Sequence, residues 1–143
     1  MKISNNLNDD IAHAPEWFQR AISVKPEEKV LGHEKGDISY SFWESKSNTG
    51  NLIILIHGTG AHKKWWYPIA PGLNLNAHII SIDLPGMGDS SFRESYKVED
   101  FGDCVTSVIR HEKDINNSSF TYLVGHSLGG HVAGFVATEE TDL

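Results

Sequence analysis

The residues of this chain that are best placed to do chemistry are Gly125-His126-Ser127-Leu128-Gly129, a G-x-S-x-G sequence. An apolar run at 120–124 precedes them and a helix-like segment at 128–138 follows. A nucleophile elbow requires this strand–turn–helix context, because its sharp turn presents the serine at the mouth of a sheet. Glycines on both sides let the strand and the helix approach closely. The sequence therefore predicts an exposed Ser127 hydroxyl; the alternative is a serine in an ordinary tight turn.

Two other loops follow strand-like, largely aliphatic runs. His57-Gly58-Thr59-Gly60 comes after Leu52–Ile56, and the loop Asp83-Leu84-Pro85-Gly86-Met87-Gly88-Asp89-Ser90 comes after His78–Ile82. A continuous aliphatic run is typical of a strand that is covered on both faces, as in the middle of a parallel sheet. With 120–124 as a third buried strand, the sequence predicts three parallel strands, each followed by a glycine-containing loop.

Hydrophobic periodicity predicts the elements that must position these loops. They are a helix at 15–22, strands at 28–32 and 38–43 joined by a turn at 35–37, a short helix within 65–73, and helices at 98–109 and 128–138. In the first helix, Trp17, Phe18, Ala21 and Ile22 are expected to cover an apolar surface. Strands alternating with helices indicate an α/β fold with a mostly parallel sheet, flanking helices and right-handed crossovers. We expect a disordered tail at 1–13 and one domain at 14–143.

The three loops, taken in this order, carry a resemblance to a known family. From about Glu28 to Ala137 the chain resembles the N-terminal half of an α/β-hydrolase fold, the superfamily of esterases, lipases and C–C bond hydrolases. The resemblance implies that Ser127 is a nucleophile that forms an acyl-enzyme once a base removes its proton. A serine at this position also argues against the epoxide-hydrolase and haloalkane-dehalogenase branches, whose nucleophile is a carboxylate.

The same resemblance implies an oxyanion hole formed by two backbone N–H groups. One belongs to Leu128, the residue after the nucleophile, at a helix N-terminus where the dipole favours negative charge. The other belongs to Thr59, and each such donor is typically worth about 3–4 kcal/mol of transition-state stabilisation. The supporting residues are His57, Gly58, Gly60, Gly125 and Gly129. The alternative for the 57–60 loop is a plain strand-exit turn.

Other polar and aromatic residues are assigned less chemistry. The resemblance makes His57 structural, and His126 should point away from Ser127, because neighbours on a tight turn diverge. His62 and His131 are expected near the rim of the pocket. The spacings of the eight histidines match no familiar zinc site, so neither a metal nor another cofactor is predicted. Asp83 is expected to cap backbone groups, and Trp65, Trp66 and Tyr67 either line a pocket or pack in the structure.

The catalytic triad in this fold runs Ser, then Asp or Glu, then His along the chain. The resemblance places the acid and the histidine beyond residue 143, so residues 14–143 are interpreted as a truncated domain that is inactive as given. Two hypotheses stay open. The chain is the N-terminal part of a serine hydrolase acting on an ester or related carbonyl substrate, or it is a non-catalytic α/β scaffold that binds a ligand or partner. A variant of the second is a half-enzyme completed in trans.

Composition limits the possible partners. The chain has 143 residues and a formal charge of −7, which disfavours binding to nucleic acid or to an acidic membrane surface. Cys104 is the only cysteine, so no internal disulfide forms, and we interpret it as a buried thiol with no base or positive group nearby. No secretory signal and no membrane-spanning window is recognised. We expect a cytoplasmic protein with a small-molecule substrate; the oligomeric state is left open.

Overall fold

The computed structural model of the protein describes residues 11–47, 50–73, 76–118 and 120–139. Five strands and four α-helices lie in this part of the chain, together with a 3-10 helix at Lys63–Trp66. The strands are β1 (Glu27–Leu31), β2 (Ile38–Trp43), β3 (Leu52–Ile56), β4 (His78–Ile82) and β5 (Thr121–Gly125). The helices are α1 (Glu16–Ser23), α2 (Ala70–Leu73), α3 (Val98–Asn116) and α4 (Leu128–Glu139).

The strands form one mixed sheet in the order β1-β2-β4-β3-β5. β1 and β2 are an antiparallel hairpin, and β2 also pairs antiparallel with β4. β3 pairs in parallel with both β4 and β5, with Ile56 opposite Ile82 on one side and Gly125 on the other. The three parallel strands therefore end level with one another, so the three loops predicted to do chemistry leave the same edge of the sheet. The predicted α/β class is confirmed.

The core lies on both faces of β3 and β4, as their aliphatic sequences predict. On one face α3 and α4 cover the sheet, and the buried residues include Ile54, Ile56, Ile80, Val105 and Val132. On the other face Leu55 and Ile79 pack with Trp43, Ala70 and Ala77. Full burial of such a side chain is worth about 1.5–3 kcal/mol, so this two-sided core fixes the strands that carry the loops.

The strand predicted at 120–124 is present as β5, but the prediction that it is buried is wrong. Tyr122 is 55% exposed and Val124 is 41% exposed. Within the described residues β5 pairs only with β3, so it lies at the edge of the sheet. An apolar run identifies a strand, but its burial depends on neighbours that the run itself does not specify.

Two helices also differ from the prediction. The one expected within 65–73 is divided into the 3-10 helix and the four-residue α2. Pro68 and Pro71 both lack the N–H that a continuous helix would need. Conversely, α3 continues beyond Ile109 to Asn116, and it ends where Asn117 adopts a left-handed conformation, φ 50°.

The N-terminal segment is described from residue 11, and residues 1–10 of the predicted tail lie outside the described residues. The Ala14 N–H donates to the Ile11 carbonyl, and the side chain of Gln19 donates to the Ala12 carbonyl. The tail boundary at residue 13 stays a prediction. No residue of α1 is fully buried, and Trp17 is 58% exposed, so its apolar face is covered only in part. Over the ranges given above, no helix is long and apolar enough to cross a membrane.

Candidate active site

The turn between β5 and α4 holds its serine in an unusual backbone conformation. Ser127 has a φ of 52°, in the left-handed region that residues with a side chain seldom adopt. Four hydrogen bonds fix the turn: His126 N–H donates to Ile56 O, Gly129 N–H to His126 O, and the N–H groups of Gly130 and His131 both donate to Ser127 O. Strained conformations of this kind persist where the surrounding structure enforces them, and they concentrate at functional sites. Ser127 is exposed at the end of the sheet.

The glycines of the turn are required by close backbone contacts. A Cβ atom on Gly125 would lie 2.1 Å from the Gly129 carbonyl oxygen. A Cβ atom on Gly129 would lie 2.2 Å from the Ile56 carbonyl oxygen. Neither position has room for a methyl group, because each distance is far inside van der Waals contact. The start of α4 is therefore packed directly against the ends of β5 and β3.

The loop at 57–62 lies against this turn. A Cβ atom on Gly58 would be 2.9 Å from His126 Nδ1 and 3.2 Å from Ser127 Cβ, so its absence lets the loop approach the serine. Thr59 is exposed, and Gly60 has a φ of 71°. Neither the Thr59 nor the Leu128 N–H donates to a protein acceptor in the described part of the chain. Neither predicted oxyanion donor therefore has a competing protein acceptor in that part of the chain.

His57 joins the 57–62 loop to the 83–90 loop. It is fully buried, and its Nε2 accepts a hydrogen bond from the Leu84 N–H at 3.1 Å. The proton of the neutral ring must then be on Nδ1, which donates to the Gly58 carbonyl at 2.7 Å. Burial lowers the pKa of His57, although the bond to Gly58 opposes that effect. Because both ring nitrogens bind the backbone, this histidine does not serve as a base for Ser127.

Asp83 organises the 83–90 loop from a fully buried position. Its carboxylate accepts the Lys63 N–H at 2.6 Å and the Asp89 N–H at 2.9 Å. The capping of backbone groups predicted for Asp83 is therefore present. A Cβ atom on Gly88, where φ is 57°, would lie 2.2 Å from the Asp83 carboxyl carbon. Only glycine leaves room for the carboxylate at that point.

Sequence reasoning missed Lys63, whose side chain is only 3% exposed and whose ammonium group contacts three carboxylates, those of Glu28, Asp83 and Asp89. The sequence contains little that could have revealed it. Lys63 and Lys64 are adjacent and chemically identical, yet Lys64 is exposed. The difference arises from the side of the 3-10 helix on which each one lies.

The three aromatic residues of the 63–67 region have different surroundings. Trp65 is 48% exposed and packs edge-on against the His126 ring, with centroids 4.6 Å apart. Trp66 is half-buried beside the smaller core cluster. Tyr67 packs edge-on against Trp43, and its hydroxyl bonds Glu28 and Ser41; burial raises the pKa of Tyr67 to about 12. Of the three, only Trp65 lies beside the turn that carries Ser127.

Among the described residues, Ser127 Oγ has no hydrogen bond to a histidine or a carboxylate that could serve as its base. The His126 ring packs against Trp65, and the expectation that it points away from Ser127 stays a prediction. The same part of the chain contains no cluster of three or more side chains placed to bind a metal ion.

Cys104 is buried, as predicted, but the expectation of no positive group nearby is wrong. Arg93 Nη2 donates to the Cys104 sulfur at 2.8 Å. Burial nevertheless raises the pKa of the Cys104 thiol, because desolvation outweighs the attraction of the guanidinium. The cysteine lies on α3 inside the main core, apart from the serine turn.

The sequence model of the alpha/beta hydrolase family matches residues 53–141, more than half of the chain. The chain belongs to the alpha/beta hydrolase family. It is 31% identical over 130 residues to the monoacylglycerol lipase ABHD6 of Mus musculus, covering 85% of this chain and 35% of that protein. It is 33% identical over 90 residues to the pimeloyl-[acyl-carrier protein] methyl ester esterase of Neisseria meningitidis, covering 63% and 32%.

The fold of this chain also matches the folds of solved structures. The thioesterase domain from the curacin biosynthetic pathway superimposes with a TM-score of 0.72 and 28% identity, covering 82% of this chain and 41% of that one. The chain spans about a third of the length of the curated relatives that it matches. The family and the fold of the chain are thus established.

Proposed function

We propose that this chain is the N-terminal part of a serine hydrolase that cleaves a carboxylic ester, or a related carbonyl substrate, through an acyl-enzyme. One observation carries the proposal: the exposed Ser127 is held at φ 52° between β5 and α4, against the loop that contains Thr59. Two of the curated relatives are named as a monoacylglycerol lipase and a methyl ester esterase. Their names support an ester as substrate.

In the proposed reaction Ser127 Oγ attacks the ester carbonyl carbon while a base takes its proton. The carbonyl π electrons move onto the oxygen, and the Thr59 and Leu128 N–H groups stabilise this oxyanion. The tetrahedral intermediate then collapses, the C–O bond to the alcohol breaks, and the base returns its proton to the leaving oxygen. Water attacks the acyl-enzyme by the same route, which releases the acid and restores the serine.

The base and its acid partner are proposed to come from residues outside this chain. Within the described part no side chain is bonded to Ser127 Oγ, and the neutral, backbone-bonded His57 cannot take a proton from it. A serine hydroxyl without a base is a poor nucleophile. We therefore propose that the 143 residues alone are inactive. Residence in the cytoplasm remains a prediction, and no metal, cofactor or nucleic acid enters the scheme.

A fluorophosphonate probe tests the proposal, because it reacts covalently with activated serines. We expect one-to-one labelling of the full-length protein, lost in Ser127→Ala and kept in Ser95→Ala, which changes an exposed serine in the loop before α3. We expect weak or no labelling of the 143-residue chain. Rapid stoichiometric labelling of that chain at Ser127 would show that the base is present after all.

A non-catalytic scaffold is the second candidate, favoured by the lack of a bonded base at Ser127 among the described residues. It predicts that the full-length protein is inert to the probe and that Ser127→Ala leaves its properties unchanged. A half-enzyme completed in trans would instead be labelled only after a second polypeptide is added. The same probe separates all three possibilities.

A further inference from the structure

We infer that Lys63 is a positioning residue for the oxyanion hole: its buried ammonium group holds the 57–62 loop against the 83–90 loop, and so sets the direction of the Thr59 N–H. The inference rests on the proposed function, because Thr59 matters only if an oxyanion forms beside Ser127. It adds a residue that touches neither the serine nor the substrate.

The first support is the environment of the Lys63 ammonium. Nζ lies 3.0 Å from an Asp89 carboxylate oxygen and 3.3 Å from one oxygen each of Glu28 and Asp83. It also donates to the Ser39 hydroxyl. These partners come from the β1–β2 hairpin and the 83–90 loop, so one side chain bridges two segments that are distant from it in sequence.

The backbone of Lys63 is bonded as completely as its side chain. Its N–H donates to Asp83 Oδ1 at 2.6 Å, and its carbonyl accepts from the Ser81 hydroxyl at 2.8 Å. Six residues earlier, His57 is bonded to the Leu84 N–H. The 57–62 loop is therefore attached to β4 and the loop after it at both ends, and Thr59 lies between the two attachments.

Between those attachments the loop contacts the serine turn at Gly58, but its tip, Thr59 and Gly60, has few contacts of its own. Thr59 and Gly60 are exposed, and no atom lies within 4 Å of a Cβ built on Gly60. The Ala61 N–H bonds to the Gly58 carbonyl, which is within the loop itself. Because so few contacts hold Thr59 and Gly60, the direction of the Thr59 N–H depends on how firmly the loop is attached at His57 and Lys63.

The charges make this attachment sensitive to Lys63. Burial lowers the pKa of the ammonium, but the bond to Asp89 and the charges of Asp83 and Glu28 outweigh it, so the pKa lies above its ordinary value. Lys63 also lowers the pKa of Asp89. Without Lys63 the fully buried Asp83 carboxylate loses its nearest cation, and a buried charge that lacks a partner is costly. The loops would then rearrange to hydrate it.

The test is ester hydrolysis by the full-length protein carrying Lys63→Met, with the exposed neighbour Lys64→Met as the matched control. We expect Lys63→Met to lower kcat by about 10- to 100-fold, because a shift of about 1 Å can cost 100-fold and loss of an oxyanion donor costs as much or more. KM should change little, since ground-state binding does not use the oxyanion hole. Lys64→Met should match the unchanged protein.

A transition-state analogue separates positioning from general damage to the fold. Affinity for a trifluoromethyl ketone, which forms a tetrahedral adduct with the serine, should fall in parallel with kcat/KM. Affinity for the carboxylic acid product should not fall. Lys63→Arg, which keeps the charge, should recover part of kcat. Unchanged kcat in a folded Lys63→Met protein, or equal weakening of both ligands, overturns the inference.

If Lys63→Met does not fold, the variant Asp89→Asn tests the positioning role of Lys63 instead. The Asp89 side chain is 67% exposed, so this change removes one partner of Lys63 without leaving a buried group unpaired. We expect a kcat reduced by about 3- to 10-fold with KM unchanged, a smaller share of the same positioning effect. Full activity of Asp89→Asn in that case overturns the inference. Activity that survives in Ser127→Ala refutes the proposed function instead.

Discussion

The candidate site is built from two regions that are held in place by different forces. The 57–62 and 83–90 loops are held by buried polar side chains, those of His57, Lys63 and Asp83, whose hydrogen bonds cross between them. The turn at 125–129 has no such side chains. Its shape comes from backbone hydrogen bonds and from contacts so close that only glycine fits.

This difference determines how each region can fail. Charge and hydrogen bonding hold the two loops, so losing a charge or adding a proton should loosen them while the core stays intact. Steric exclusion holds the turn, so an added methyl group should displace it at any pH. Variants that remove a charge from the loops should therefore leave the turn largely unaffected. Variants that add a methyl group to the turn should likewise leave the loops largely unaffected.

The largest loss of stability is expected from Asp83→Asn. Removing one partner of a buried ion pair costs about 3–5 kcal/mol, and here the amide nitrogen would also face an N–H group or the Lys63 ammonium. Urea unfolding should show the lower stability, and labelling of Ser127 should slow as the loops separate. A loss below about 1 kcal/mol would mean that the carboxylate does not carry the connection between the loops.

A smaller loss of stability, but a complete loss of labelling, is expected from Gly129→Ala. The new Cβ would lie 2.2 Å from the Ile56 oxygen, and overpacking of this kind costs about 1–3 kcal/mol. The helix must move away from β3, which takes the Ser127 hydroxyl and the Leu128 N–H with it. Fluorophosphonate labelling of the full-length protein measures the effect.

Gly134→Ala is the matched control on the same helix. No atom lies within 4 Å of a Cβ at that position, so the added methyl group meets nothing. Labelling should be unchanged, and stability should rise by about 0.4–1 kcal/mol, because alanine has less freedom to lose on folding. Equal damage from both alanines would show that the close contact with the Ile56 oxygen does not account for the effect of Gly129→Ala.

The same contrast explains which features the sequence could predict. β3, β4 and α4 follow from local patterns and agree with the structure to within one residue. The position of the turn was also predictable, because the glycines that its contacts require are adjacent in sequence. The prediction of one short helix within 65–73 was wrong for another local reason, because Pro68 and Pro71 interrupt it.

Features that depend on the order of the strands were not predictable in this way. β5 reads as a buried strand, yet its exposure depends on which strands pair with it. The role of Lys63 depends on β1, β2 and the 83–90 loop meeting at one point. No local pattern in 57–66 distinguishes Lys63 from Lys64. Local sequence patterns therefore do not predict the part of the site that is held by long-range polar contacts.

The smallest predicted effect is a dependence of stability on pH through His57. Its pKa in the folded protein is lowered, chiefly by burial, while the Asp83 charge opposes the shift and His62 adds to it. As pH falls below about 6.5, His57 binds a proton in the unfolded chain but stays neutral in the folded protein. The free energy of unfolding therefore decreases. The slope for one proton cannot exceed about 1.4 kcal/mol per pH unit.

Replacement of His57 by an uncharged side chain tests this sign. Urea unfolding between pH 7 and 5 should show His57→Gln as less stable at pH 7 but with a flatter dependence on pH. His78, whose pKa burial also lowers, contributes in the same direction, so His78→Gln should remove a separate part of the slope. An unchanged slope in His57→Gln would mean that the ring takes up its proton over the same pH range in the folded and the unfolded states. That result would contradict the hydrogen bond from Leu84 N–H to Nε2, and with it the polar connection that distinguishes the loops from the turn.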